Sequence, residues 1–151
     1  MQACFGKLDS KDANEQYVAM NQILDAIDHE VDWAYEVWEG LVEGLASSDA
    51  HQRSRSAQFL CGLAKSDSER RILQGFPKLW QVTYDEKFVT ARHTLQAIWQ
   101  IGLSGEEQKR LTVGHLAERY RVCNTEKNGT LLRFDILQGL RRLYDPLAIP
   151  N

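Results

Sequence analysis

No stretch of this chain approaches the ~20 consecutive apolar residues that a membrane-spanning helix requires. Cysteine is scarce. Cys4, Cys61 and Cys123 are an odd, widely spaced set with no CxxC pair, which argues against a disulfide framework and leaves Cys61 and Cys123 as small hydrophobes on apolar helix faces. Proline is equally scarce, at three residues, two of which (Pro146 and Pro150) fall in the C-terminal tail, so little interrupts helix formation. Charge of one sign is also lacking. Eighteen basic and 21 acidic residues leave a net charge of -3, short of the basic domain that bulk nucleic-acid affinity usually requires. The first residues, Met1 to Lys7, lack the apolar run of a signal peptide, so the chain is expected in the cytoplasm. His29, His51, His93 and His115 show neither HxxxH nor HExxH spacing, and no Ser/His/Asp or Cys/His set can be argued. No metal, cofactor or catalytic group is expected.

A helical pattern is what the chain does have. Phe59-Leu60-Cys61-Gly62-Leu63, Thr94-Leu95-Gln96-Ala97-Ile98 and Ile136-Leu137-Gln138-Gly139-Leu140 repeat one short motif, each copy preceded by a further helical segment. Aligned on Leu60, Leu95 and Leu137, the copies recur at the period of a helical solenoid. Apolar residues at spacings of three and four predict seven helices. The first, over 14–30, carries a stripe of Tyr17, Met20, Ile23, Leu24 and Ile27 and caps the assembly. Hairpins follow over 33–65, 68–102 and 105–144, with Asp32 and Ser104 as expected N-caps, Glu107 completing a capping box with Ser104, and a kink or break at Gly75 and Pro77. Residues 1–13 are expected to be loosely ordered, 14–145 to form one domain, and 146–151 to be a tail. Leu60, Leu63, Leu95, Ile98, Leu137 and Leu140 are the predicted core.

These hairpins resemble the HEAT repeat of the armadillo-type group over roughly Trp33 to Tyr144. Pro77 matches the family's first-helix proline, Asp49 and Asp85 match its turn acid, and Arg53 or Arg55, Arg92 and Arg133 match its second-helix arginine. The resemblance implies an all-α, right-handed superhelical stack. It also implies a structural arginine ladder of Arg92 and Arg133 with Asp49 and Asp85, in which Arg92 bonds to Asp49 or Asp85. In such stacks the second helices line the concave side.

On the wheel, the faces opposite the repeated leucines carry Arg55 and Gln58, then Thr90, His93 and Gln100, then Leu132, Asp135 and Arg142. Arg55, Gln58, His93, Gln100 and Arg142 are therefore the candidate partner-binding row, offering donors and acceptors to a protein or peptide. Gly62, Ala97 and Gly139 at matching positions either form a shallow trough or let helices approach. Trp99 is read mainly as core. Asp25, Asp28, Glu30, Asp32, Glu36, Glu39 and Glu43 form an acidic stretch, since no Lys or Arg lies between Ile23 and Leu45. The leading functional expectation is a non-catalytic interaction or scaffold module. Two alternatives follow from other HEAT-like proteins: a nucleic-acid-binding or alkylpurine-glycosylase-type repair enzyme, using Trp99, Asp135, Arg92 and Arg142, and a small lyase or chaperone for a chromophore protein.

Overall fold

The computed structural model describes residues 1–144. Among them are eight α-helices and no strand: α1 (Gln2–Lys7), α2 (Ala13–Ile27), α3 (Ala34–Gly44), α4 (Ala50–Leu63), α5 (Ile72–Val82), α6 (Phe88–Ala97), α7 (Glu106–Val122) and α8 (Gly129–Tyr144). Short 3-10 segments extend α4, α6 and α7 at Ala64–Ser66, Ile98–Leu103 and Cys123–Thr125. The chain is all-α, as its periodicity predicts. The expected tail over 146–151, and residue 145, lie outside the described residues.

Neighbours in sequence pair as α1 with α2, α3 with α4, α5 with α6 and α7 with α8. A second set of contacts runs across the pairs, with α2 on α4, α4 on α6 and α6 on α8. Helix α4 therefore has neighbours on several sides, and its last five residues, Phe59 to Leu63, are all buried. Leu60, Leu63, Leu95 and Ile98 are at most 1% exposed. Cys61 and Cys123 are fully buried thiols, and burial pushes Cys61 well above its ordinary range by penalising the thiolate.

Helix α8 departs from the expected phase. Leu137 is 50% exposed and Leu140 is only half-buried, while Leu132, Ile136, Gly139 and Leu143 face the core. Apolar residues lie on two faces of this helix, so periodicity alone admits either phase. Packing selects the face that also carries Asp135, because Arg92 of α6 waits there with its charge. Small residues help. A Cβ on Gly102 would stand 2.6 Å from Leu143 Cδ2, so glycine lets α8 approach the Ile98–Leu103 segment.

The N-terminal segment also differs from expectation. Residues Gln2–Lys7 are helical, and Phe5 meets Trp33 (5.8 Å between ring centroids) and Phe59 (5.7 Å) edge-on. Leu8 is buried beside them. Two large apolar side chains three residues apart cover aromatic surface that α2 leaves open, and this burial orders the segment. Helix α2 is thus the partner of α1 rather than a lone cap, and the described residues hold eight α-helices rather than seven.

Several capping expectations change for local reasons. Asp49 caps α4 through His51 N–H, but α3 starts at Trp33 with no side-chain cap from Asp32. Ser104 turns its hydroxyl back to the Ile101 carbonyl, since the 3-10 segment runs up to it, and Gly105 becomes the N-cap of α7. Glu107 then pairs with Arg70 instead of closing a capping box. Helix α5 runs unbroken through Pro77. Asp67 caps it by accepting from Arg71 and Ile72 N–H, so the helix begins at Ile72 and the ring falls at its middle. Burial of Ile72, Phe76, Leu79 and Val82 offsets the one backbone hydrogen bond the proline removes.

Candidate functional site

Two features join the helix pairs, a set of arginine contacts and a groove. Arg53 and Arg92 lie in the first halves of their helices and reach forward along the chain, whereas Arg119 lies in the last turn of α7 and reaches back. Arg53 of α4 donates to both carboxylate oxygens of Asp85 (2.7 and 3.1 Å) and to the Ser47 carbonyl (2.9 Å), tying the α3–α4 turn to the α5–α6 turn. Arg92 of α6 forms a two-pronged pair with Asp135 of α8 (2.8 and 2.9 Å), and Gln96 also donates to that carboxylate. Buried Arg119 of α7 donates to the Thr83 carbonyl and hydroxyl and pairs with Glu126, lying 3.7 Å over the Tyr84 ring.

This corrects the ladder in three places. Arg92 takes Asp135 and neither Asp49 nor Asp85, because α6 and α8 are adjacent and the phase of α8 turns Asp135 inward. Asp49 stays with its own helix as a cap. Arg133 meets no acid among the described residues; it donates to the Tyr120 carbonyl and lies over the Tyr120 ring. Sequence reasoning missed Arg119 as a joint. Its only signal was an arginine on an otherwise polar helix, and nothing in the pattern marks that as buried.

The Arg53–Asp85 pair has a pH consequence. Burial alone would raise the Asp85 carboxyl, but hydrogen bonds from Arg53 and from Lys87 N–H, with both cations nearby, hold it below its ordinary 3.8. A lowered folded value means the pair stabilises above the unfolded value and loses that contribution as pH falls through the folded one. The protein should therefore lose stability in urea melts below about pH 4. Asp85→Asn should be less stable at pH 7 and show a shallower acid limb. An unchanged acid limb would mean the pair contributes nothing.

The groove lies on the other side of α4. A cavity of about 680 Å³ is walled by Met20 and Tyr17 of α2, floored by Ser54, Arg55 and Gln58 of α4, and closed by Phe88, Val89 and His93 of α6. A second cavity of about 750 Å³ continues from it, sharing Gln58 and His93 and reaching Trp99, Gln100 and Arg142. All five residues of the expected binding row line these two spaces. At their junction Gln58 donates to Ser54 Oγ (3.1 Å), and Ser54 Oγ in turn shares a hydrogen bond with His93 Nδ1 at 3.2 Å, whose direction follows the ring tautomer. That chain fixes His93 across the α4–α6 boundary. Arg55 contacts Asp9 loosely at 3.4 Å, Gln100 donates to the Ala97 carbonyl, and the Arg142 guanidinium stands 5.0 Å from the Trp99 ring centre.

Not every expected face residue reaches the groove. Thr90 lines it but is buried, and Leu132, Asp135 and Gly139 point into the core with the phase of α8. The proposed trough is absent at Gly62, where a Cβ would meet Ile27 Cδ1 at 2.5 Å; the glycine lets α2 lie close on α4. Trp99 is half-buried against the core rather than within it. Tyr17, expected inside, is 70% exposed at the groove rim, where α2 forms a wall that the reading of α2 as a plain cap did not foresee.

Chemically the groove offers hydrogen bonds, cations and apolar surface. Asp135, the carboxylate that a glycosylase-type reading would use, has 1% of its side chain exposed and is held by Arg92. No group of three or more His, Cys, Asp or Glu among the described residues is placed to hold a metal, and none of the described helices is long and apolar enough to cross a membrane. The fold and groove thus define an all-helical chain of paired helices joined by inter-pair arginines. Compared with protein-family models, curated proteins and solved structures, the chain matches none.

Proposed function

We propose that this protein is a non-catalytic interaction module of the HEAT-repeat, armadillo-type kind, a solenoid of helix pairs that holds a protein or peptide partner in the groove across α2, α4, α6 and α8. One observation carries the reading: the two cavities meet at Gln58 and His93 and bring the whole expected row, Arg55 through Arg142, onto one continuous surface. Supporting it, α4, α6 and α8 pack in succession, and Arg53 and Arg92 each reach forward to the next pair. Exposed side chains such as Tyr17 and Val89 at the rim give a partner apolar area to bury, and concave sites of this size are ordinary binding sites.

The test is site-specific photo-crosslinking in cells, with the photoreactive residue at His93 and, as control, at exposed Glu39 on α3. A discrete adduct from position 93 alone is expected, lost on adding Arg142→Ala. The His93→Ala/Arg142→Ala double variant should keep its melting temperature while weakening the adduct partner's binding. Adducts from position 39 and none from position 93 would move the site to the acidic α3 face.

A further inference from the structure

The groove's charge runs against that of the chain. The protein carries a net charge of -3, yet among the described residues Asp28 is the one acidic residue lining either cavity, against Arg55, Lys65, Lys87 and Arg142. The acids lie elsewhere, with Asp32, Glu36, Glu39 and Glu43 exposed around α3. Lys65 is committed to the fold, its ammonium donating to the Ile27 and Gly62 carbonyls, and burial lowers its pKa against the pull of Asp28. Arg55, Lys87 and Arg142 remain spread along the groove. Between them the first cavity is walled by Leu8, Tyr17, Met20, Phe88 and Val89. Arg55 already holds a carboxylate, that of Asp9, whose side chain is 83% exposed on the segment after α1 and touches it at only 3.4 Å.

Resting on the groove reading above, we infer that the partner is an acidic, amphipathic peptide segment. It seats an aliphatic or aromatic side chain between α2 and α6 and sets its carboxylates on Arg55, Lys87 and Arg142. Asp9 acts as a place-holder that such a carboxylate displaces. An apolar anchor within a ring of cations suits a peptide better than a nucleic acid. Phosphate tracking needs a denser basic stripe, and the acidic α3 surface of the same small molecule repels a polyanion.

Panning a display library of random 12-residue peptides against the full chain tests this, with enriched peptides synthesised and measured by fluorescence anisotropy. Enriched sequences should combine Asp or Glu with Leu, Phe or Trp. Their affinity should fall about tenfold or more in the Arg55→Glu/Arg142→Glu variant and weaken with salt. Asp9→Asn should tighten binding roughly two- to threefold, as expected for removing one exposed competing charge. Neutral or basic peptides that are lost on His93→Ala would overturn the acidic partner while keeping the groove. Peptides indifferent to Gln58→Ala and His93→Ala would overturn the groove itself. An absence of enrichment over a control protein overturns the inference, as does an oligo-dT strand that competes with the peptides. Circular dichroism on each variant separates lost binding from lost fold.

Discussion

Replacing Arg92 with alanine is expected to destabilise the protein by about 3–5 kcal/mol, because it leaves a buried carboxylate without its cation. Asp135 has 1% of its side chain exposed, so water cannot replace the two hydrogen bonds the guanidinium makes. Gln96 donates one bond at 3.2 Å, which satisfies a lone pair but does not neutralise the charge. The cost should therefore come from stranded charge rather than from lost packing at Arg92 itself. Removing both partners tests this: Arg92→Ala/Asp135→Ala should recover much of the loss, since two absent charges need no compensation. Urea melts of the two single variants and the double close the cycle. A single-variant loss below about 1 kcal/mol would place the pair among surface bridges and remove it as a joint between α6 and α8.

Leu95→Ala should cost about 2–5 kcal/mol, the range for truncating a core leucine. Leu137→Ala, at the position aligned with it in the repeat, should change stability by about 0.5 kcal/mol or less. Leu95 is fully buried and Leu137 is half exposed, so the same substitution at aligned positions should have very different effects. Thermal melts of both variants measure it. Equal losses would mean that α8 packs in the phase its sequence motif suggests, with Asp135 turned toward the groove. That outcome would also remove the partner assigned to Arg92, so the two experiments check one another.

The second helices were readable because the repeated leucines of α4 and α6 mark their buried faces, leaving Arg55, Gln58, His93 and, on the 3-10 extension of α6, Gln100 on the opposite face. Arg142 was also found, although the phase of its helix was misjudged. Both phases of α8 leave that position near the groove. Tyr17 was misread because a tyrosine at helical spacing looks like core, whereas here it stands exposed at the rim of the groove. Phe5 and Leu8 gave too short a pattern to register, and only the exposed faces of Trp33 and Phe59 give them something to cover.

Local interactions, then, were determined by the sequence: the approximate positions of α2 to α8, the turn at Asp49, the apolar setting of Cys61 and Cys123 and the all-α class. These depend on neighbours a few residues apart, and hydrophobic periodicity reports them directly. Tertiary structure alone decided the phase of α8, the pairing of Arg92 with Asp135, the burial of Arg119 and the joining of two cavities at His93. Each of these depends on a group 36 or more residues away in the chain. A two-faced apolar helix or a lone arginine has no preferred partner until packing brings one close enough to compensate its charge or cover its surface.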